Sequence, residues 1–578
     1  MTTRISQFHN RKAKPMKTPA TAQPYSSLSG RVLKLALHAA FLAALVVGSL
    51  ASAATLEFDT NPIAGYQGGT STWDDTTTSV WTTDGTALST WNGGTGTDAA
   101  FASTLTSSAS LTVNSAISVN SITIDKSTVT LTKGTGAITL GSGGLTIGSA
   151  GAATLGAGVL TGTGGLVVNT STATSSSNSQ SFTGQVQILK GFLTVNGPLA
   201  NFGSDSGLGR GVVGTSVLIG TTNSSTTAGL LYIGGSATTN RTFTLASGGV
   251  GVIQGAAGNL GLTLNGVIDG GNSNATMIFS SQTTSDLVVA AQNTYLGSTR
   301  IYGSNTVQTI TRIGVDNALT VGTTLNLGYT SGTYVGLFDL NGHNQELAGL
   351  VKTTGSTAAT ADISVFNRNA TQATLTLNIA SGTNTYNGTI GRSGGDNLAL
   401  SKTGAGTLAL LNANTYTGVT TVSAGTMLVS GTLANTSGVT ISGGTLQLGA
   451  ADRINNSATM TLSGGAFNVG GFSETLGTLT LTTATASSLD FGSGASILLF
   501  SGITADTGTL AITNWTSGSD SLQFTSGANL TASAFTVNGG AATILDHGTY
   551  FEIIPEPATW ALLAFSLTTI MVLRRHRV

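Results

Sequence analysis

The chain has 578 residues, of which 40% are hydrophobic, 8% charged and 6% aromatic, and 80 are glycine. Glycine without a three-residue period excludes collagen, the hydrophobic content excludes a disordered chain, and the absence of cysteine excludes disulfides and thiolate sites. Residues 57–552 carry 22 acidic and 12 basic side chains, spread thinly, so there is no basic stripe and we expect no nucleic-acid partner.

Residues 1–53 have the pattern of a secretory signal peptide with a long basic n-region. Two basic residues precede the apolar run at about 35–50, and Ala51 and Ala53 then place small side chains where signal peptidase reads the chain. This predicts cleavage before Ala54, with the secretion translocon and signal peptidase as partners. An uncleaved N-terminal anchor is the alternative.

Residues 54–110 differ in composition from the rest of the body, because Trp73, Trp81 and Trp91 occur close together. We predict that this segment is an N-terminal cap on a β-solenoid, since an open ladder invites pairing with another strand. Residues 486–552 are predicted to form the C-terminal cap.

The body between these segments repeats itself. DLVVAAQNTYLGST at 286–299 matches TLALLNANTYTGVT at 407–420, and stretches such as 111–124 alternate apolar and polar residues. Alternation with period two indicates strands that bury one face, and repetition at this scale indicates a solenoid. We therefore predict an all-β fold with a right-handed parallel β-helix over 111–485. With roughly 20–25 residues in each turn, the whole exported body of roughly 500 residues would hold about 20 turns. A string of β-sandwiches is the alternative.

Asn–Gly pairs and a second repeated motif predict the positions of corners and the roles of single side chains. Asn–Gly pairs predict corners with positive φ, at positions 92, 196, 265, 341, 387 and 538. A second motif recurs at 339–350 and 468–479. In it, His343 takes the place of Phe472 and is predicted to pack. Glu346 and Glu474 are predicted to be equivalent scaffold residues.

The best repeat copy, LSKTGAGTLALLNANTYTGVTTVSAGTMLVSG at 400–431, closely resembles the autotransporter-associated β-strand repeat. The resemblance rests on these repeat-motif residues: Gly404, Gly406, Leu408, Asn414, Thr415, Tyr416, Gly418 and Gly425. It implies a surface-exposed β-helical passenger, and many such passengers are adhesins. Autotransporters end in a membrane β-barrel, whereas this chain ends in one apolar segment, so self-secretion is not carried over.

The last segment, 553–578, combines a Pro-Glu-Pro step, an apolar run at 558–573 and a terminal arginine cluster. It resembles the PEP-CTERM sorting signal, with the processing motif at Pro555, Glu556 and Pro557 and the membrane stop at Arg574, Arg575 and Arg577. The resemblance implies a single transmembrane helix that holds the chain in the inner membrane of a Gram-negative bacterium. An exosortase then cuts it, and the product reaches the cell surface or the medium. A plain single-span anchor is the alternative.

No motif predicts a catalytic residue, a metal site or a cofactor. There is no P-loop and no nucleophile elbow, His547 has no evident partner, and the adjacent Asp74 and Asp75 are predicted to be solvated. Calcium stays open, because turn Asp and Asn oxygens suit it. The sequence thus favours an exported structural or adhesive protein, with extracellular polysaccharide as a candidate partner. The alternatives are a passive spacer and a polysaccharide lyase or hydrolase. An enzyme would require a groove where three or four charged residues from successive turns converge.

Overall fold

The computed structural model describes residues 54–556, except for 62–66, 85–86, 95, 102–104, 256–260, 283–285, 393–394, 483–486 and 505–507. The described chain is a parallel β-solenoid of about 18 turns without an α-helix, which confirms the all-β solenoid part of the predicted fold. The predicted signal peptide and the apolar run of the tail lie outside the described residues. Within the described part, no helix is long and apolar enough to cross a membrane.

The first part of the solenoid contains the longest strands. In chain order these are β1 (Ala54–Phe58), β2 (Gly69–Trp73), β3 (Trp81–Thr82), β4 (Thr97–Phe101), β5 (Ala109–Val113), β6 (Ile117–Lys133), β7 (Ile138–Leu155), β8 (Leu160–Gly162), β9 (Leu166–Asn169), β10 (Thr174–Ser177), β11 (Val186–Asn196), β12 (Val217–Ile219) and β13 (Thr227–Tyr232).

The middle part has short strands and one 3-10 helix, Thr360–Asp362. Its strands are β14 (Ala237–Thr239), β15 (Phe243–Leu245), β16 (Val250–Gly255), β17 (Leu262–Leu264), β18 (Ile268–Ser281), β19 (Leu287–Val289), β20 (Leu296–Gly303), β21 (Thr311–Ile313), β22 (Thr324–Leu327), β23 (Gly336–Asp339), β24 (Gln345–Leu347), β25 (Gly349–Lys352), β26 (Ile363–Phe366), β27 (Ala373–Asn378), β28 (Thr383–Tyr386) and β29 (Thr389–Ile390).

The last part contains the best repeat copy and a second 3-10 helix, Ala532–Ala534. Its strands are β30 (Leu398–Thr403), β31 (Thr407–Leu410), β32 (Thr420–Val422), β33 (Thr426–Val429), β34 (Gly438–Ile441), β35 (Thr445–Leu448), β36 (Thr459–Leu462), β37 (Ala466–Asn468), β38 (Glu474–Leu481), β39 (Ser487–Asp490), β40 (Ile497–Ile503), β41 (Leu510–Thr513), β42 (Ser521–Phe524), β43 (Phe535–Val537), β44 (Gly540–Asp546) and β45 (Phe551–Pro555).

The alternation of side chains explains why these segments stack as turns. In β30, Leu398 and Leu400 are buried while Ala399 and Ser401 are partly exposed, and the same two-residue period runs through β5, β9 and β35. Each strand therefore buries one face inside the coil and leaves short polar side chains outside. Most of the inward Leu, Ile, Val and Phe side chains form one core along the described chain, and a second, small cluster consists of Ile310, Val335, Leu337 and Phe366.

Parallel pairing fixes the length of each turn. Leu400 pairs with Thr420 and Thr420 with Val439, so these turns contain 20 and 19 residues. Gln345 pairs with Leu375, so that turn contains 30 residues. The range is wider than predicted because loops between strands vary in length while the ladder keeps its register. The handedness of the coil stays a prediction.

The parallel ladder crosses the domain boundaries drawn from the sequence. β4 pairs in parallel with both β1 and β6, so the predicted N-terminal cap is itself the beginning of the coil. The ladder also continues past residue 485 to β43 through β39 and β41. The boundary at 552/553 falls inside β45. Composition changes at these points, but the backbone pairing does not.

Antiparallel strands occur at both ends of the described chain. β1 pairs antiparallel with β3, and Phe58, Trp73, Trp81, Trp91 and Phe101 form an aromatic cluster with ring centroids 4.7–5.9 Å apart. At the other end, β45 pairs antiparallel with β42 and β44, and β44 with β43. These pairings cover the open edges of the parallel ladder.

The Asn–Gly pairs at the corners are required for two different reasons. Asn341 and Asn538 adopt positive φ values of 50° and 48°, as predicted. At the 265–266 pair, a Cβ on Gly266 would instead lie 1.9 Å from the carbonyl oxygen of Arg241. Glycine is needed there because two backbones approach closely, and not because of its φ.

Candidate functional site

Two of the repeat-motif residues, Tyr416 and Gly418, lie together at one corner of the coil. Tyr416 is buried, and its hydroxyl lies 2.7 Å from Thr420 Oγ1, which lies 3.1 Å from Thr436 Oγ1 in the next turn. Thr436 Oγ1 donates to the Gly418 carbonyl oxygen at 2.9 Å. Burial raises the pKa of Tyr416, so its hydroxyl stays neutral and acts as a hydrogen-bonding group.

The earlier copy has the same network. The Tyr295 hydroxyl lies 2.6 Å from Thr299 Oγ1, Thr299 Oγ1 lies 2.9 Å from Thr323 Oγ1, and Thr323 donates to the Gly297 carbonyl oxygen at 2.9 Å. The two copies are therefore equivalent in their hydrogen bonds as well as in their sequences.

A buried amide completes the corner. Asn414 Oδ1 accepts the backbone N–H of Ile390 at 2.9 Å, and its Nδ2 donates to the Asn412 carbonyl oxygen at 2.8 Å. Asn293 accepts the N–H of Ile268 in the same way at 2.7 Å. Each amide oxygen thus satisfies a backbone N–H of the turn before, while the amide nitrogen donates to a carbonyl oxygen two residues earlier in its own turn.

The other motif positions shape the chain. Leu408 is fully buried, and the backbone N–H of Thr415 donates to the carbonyl oxygen of Ile390 at 2.9 Å. Gly404 and Gly425 have φ of 73° and 62°, whereas Gly406 and Gly418 have no such φ but lie so close to the preceding turn that a Cβ would meet atoms at 2.8 and 2.6 Å. All eight motif residues thus contribute to the scaffold.

Lys402 is a scaffold residue that the motif analysis did not identify as such. It is fully buried, and its Nζ donates to the carbonyl oxygens of Thr403, Gly404 and Ala424 at 2.6, 2.8 and 3.2 Å. Burial lowers the pKa of this ammonium group. Its position after alternating apolar residues of a strand is the sequence signal that would have placed it inside.

The predicted equivalence of Glu346 and Glu474 was wrong by one residue. Glu474 is buried and its Oε2 accepts the backbone N–H of Arg453 at 2.7 Å, while the half-buried Glu346 accepts from Asn378. The buried residue of the other copy is Gln345, whose Oε1 accepts the N–H of Leu319 at 3.0 Å. Adjacent residues of a strand point to opposite faces, so a one-residue shift exchanges inside for outside.

Predictions for three further side chains were also wrong. His343 is half-exposed and lies 3.4 Å from Asp316, so it does not pack in the core. Asp74 is buried; burial alone raises its pKa, but hydrogen bonds from Thr78 and the backbone N–H groups of residues 76–78 outweigh this and lower it. His547 has a partner, with Nε2 3.0 Å from Glu552 Oε2.

Charged side chains from successive turns do converge on one face. Arg312 Nη1 lies 2.9 Å from Asp286 Oδ2 and its Nε 3.1 Å from Asp339 Oδ2, while Arg392 lies 3.8 Å from Asp362. The guanidinium of Arg312 occupies the space between two carboxylates, where a substrate oxygen would have to lie in a hydrolase. This cluster therefore ties turns together.

A cavity without charged side chains in its lining lies beside three tyrosines. Tyr302, Tyr329 and Tyr334 have ring centroids 4.7–5.9 Å apart, and Tyr334 is 37% exposed. The adjoining cavity has a volume of about 360 Å³ and is lined by Gln282, Ser304, Asn305, Thr306, Gly332, Thr333 and Tyr334. Its lining combines an aromatic ring with amide and hydroxyl groups, which makes it a candidate for binding.

The processing motif begins inside the sheet. Pro555 pairs with Ala542 as the last residue of β45, and the N–H of Glu556 donates to the Ala541 carbonyl oxygen at 2.9 Å. Pro557, the predicted membrane stop and the predicted signal cleavage residues lie outside the described residues. Among the described residues, no group of three or more His, Cys, Asp or Glu side chains could hold a metal ion.

Comparison with known proteins identifies the repeats. A family model described as the passenger-associated-transport-repeat matches residues 400–429. The adhesin BmaC autotransporter of Brucella suis biovar 1 (strain 1330) is 28% identical over 370 residues, which cover 56% of this chain. The chain spans only 10% of that adhesin's length. No solved structure matches. The body therefore carries repeats similar to those of autotransporter passengers.

Proposed function

We propose that this chain is an exported cell-surface or extracellular-matrix protein with a structural or adhesive role and no enzymatic activity. The observation that carries the proposal is an autotransporter-type repeat at 400–429 within a parallel β-solenoid. Similarity to an autotransporter adhesin over 56% of the chain supports it. A solenoid presents a long surface of short hydroxyl and amide side chains, which suits repeated weak hydrogen bonds to a hydroxyl-rich polymer.

We further propose that an exosortase-type system sorts the chain after export by the translocon. The Pro-Glu-Pro step and the terminal arginines support this. A cut after Pro557 would leave β45 paired, whereas a cut before Phe551 would remove it from β42 and β44. We therefore expect processing at or after Glu556. C-terminal peptide mapping of surface, membrane and medium fractions tests this, because intact tails confined to the membrane would indicate a plain anchor.

The adhesive role is tested by retention of the purified protein on polysaccharide isolated from the cells that produce it. We expect retention that soluble polysaccharide competes away, while a β-solenoid of unrelated sequence passes through. Equal passage of both proteins would contradict an adhesive role and favour a spacer. Shortening of the polysaccharide during the incubation would contradict the absence of enzymatic activity.

A further inference from the structure

The three tyrosines come from different turns and loops of the solenoid. Tyr302 extends from β20, Tyr329 follows β22, and Tyr334 precedes β23. Tyr302 lies 4.7 Å from Tyr329 and 5.9 Å from Tyr334, and Tyr329 lies 5.5 Å from Tyr334, between ring centroids. The rings are tilted or edge-on to one another and form one aromatic cluster, which we call the tyrosine platform.

Two loops build a polar rim beside the tyrosine platform. Asn305 Nδ2 donates to Thr333 Oγ1, which joins the loop after β20 to the loop before β23. Ser304 Oγ lies 2.8 Å from Thr306 Oγ1 in the first of these loops. Together with Gln282, these side chains place amides and hydroxyls around the cavity. The rim can both donate and accept hydrogen bonds.

The lining carries no charged side chain. Arg300 lies two residues before Tyr302 on the same face of β20, and its charge acts on Tyr302. A ligand with a net charge would therefore find no counter-ion in the cavity itself. A neutral ligand with hydroxyl groups and an apolar face fits the lining better, because aromatic faces cover its C–H groups while the rim meets its hydroxyls.

We propose that the tyrosine platform and its rim bind a neutral sugar unit of an extracellular polysaccharide. The proposal rests on the adhesive function proposed above and assigns it to one place. Each sugar ring would lie against Tyr334 and Tyr329, with its hydroxyls directed toward Asn305 and Thr333. One such site binds weakly, and a polymer with many sugar units compensates by rebinding.

The test is binding of neutral hexose oligosaccharides to the purified protein, measured by saturation-transfer NMR and titration. We expect Tyr334→Ala to weaken binding at least about tenfold, because an exposed aromatic anchor is lost. Phe472→Ala is the matched control, since Phe472 is also 37% exposed but lies far along the chain. Unchanged binding by Tyr334→Ala, or an equal loss in both variants with unaltered thermal unfolding, would overturn the proposal.

A second variant tests the neutrality of the ligand. Arg300→Gln should leave binding of neutral oligosaccharides unchanged, and wild type should not prefer alginate, a polyuronate. A preference for alginate that Arg300→Gln abolishes would overturn the assignment of a neutral sugar.

If wild type is retained on native polysaccharide but Tyr334→Ala is retained equally, the platform fails and the adhesive function stands. If wild type is not retained at all, the adhesive function itself fails.

Discussion

Buried polar side chains that reach from one turn to the next determine where the corners of this solenoid lie. Asn293, Asn414 and Gln345 each accept a backbone N–H of the preceding turn, and Lys402 donates to carbonyl oxygens of its own turn and the next. Leaving such a group without its partner inside the core costs about 1–3 kcal/mol, which exceeds the net gain of about 1 kcal/mol from the paired group. The residue-scale predictions follow from that asymmetry.

Lys402→Met keeps the length of the side chain and removes its three hydrogen bonds. Because three carbonyl oxygens then lose their buried donor, we expect the free energy of unfolding to fall by about 2 kcal/mol, measured by urea denaturation. Lys126→Met is the control, since Lys126 is exposed, and we expect a change within about 0.5 kcal/mol. A similar loss in both variants would contradict the role assigned to the Lys402 ammonium group.

Tyr416→Phe and Tyr295→Phe remove the same hydroxyl from the two copies of the corner. Each hydroxyl bonds a buried threonine at 2.6–2.7 Å, so we expect both variants to lose about 1 kcal/mol of unfolding free energy. The comparison is made by denaturant unfolding under one set of conditions. A clear loss in one copy and none in the other would show that the copies are not equivalent.

At the scale of the element, Glu474 in β38 takes a position that Gln345 occupies in β24. Burial raises the pKa of Glu474 to about 7, against hydrogen bonds from the backbone N–H groups of Arg453 and Ile454 that lower it. Its Oε1 has no hydrogen-bond partner among the described residues. The folded chain therefore holds a proton that the unfolded chain releases above its ordinary pKa of 4.5.

This difference predicts a pH dependence of stability. The stabilisation from the bound proton is fully present below pH 4.5 and is lost as the pH rises to about 7, in total about 3 kcal/mol. Glu474→Gln should flatten this part of the profile, measured by thermal unfolding between these pH values. Glu346→Gln, at the half-buried neighbouring position of the motif, should leave the profile unchanged. An unaltered profile in Glu474→Gln would contradict the assignment.

Prediction from the sequence succeeded for single strands, whose own residue pattern identifies them. It failed for the alignment of one motif copy with another, which depends on the register between strands. The two-residue alternation in 111–124 identified strands, because burial of one face requires it. The alignment of Glu346 with Glu474 was wrong because the two motif copies, 339–350 and 468–479, align equally well when one is shifted by one residue. Backbone pairing between turns removes that ambiguity, but this pairing cannot be read from a single sequence.

At the scale of the whole molecule, the antiparallel strands at the end of the ladder cover β42 and β43. Deleting residues 538–578 would expose their edges, and unpaired edges recruit other strands. We expect this variant to self-associate in light-scattering measurements. A chain lacking only residues 557–578 keeps β44 and β45 and should remain a single species. Equal behaviour of the two would contradict a covering role for these strands.

The tyrosine platform could not be predicted from the sequence. Tyr302, Tyr329 and Tyr334 lie up to 32 positions apart in the sequence, one near the end of β20 and two in loops, and none belongs to the repeat motif. Thr299 pairs with Leu325 and Thr311 with Phe338, so turns of 26 and 27 residues decide which loops meet here, and these lengths follow from pairing across turns. By contrast, the solenoid itself was predictable because every turn repeats the same local requirement.

Export to the cell surface is the central claim, and brief protease treatment of intact producing cells tests it most directly. We predict that mass spectrometry of the released material will contain peptides from residues 54–556, while a cytoplasmic marker protein stays intact. Peptides that appear only after the outer membrane is broken would place the protein inside that membrane and contradict the account.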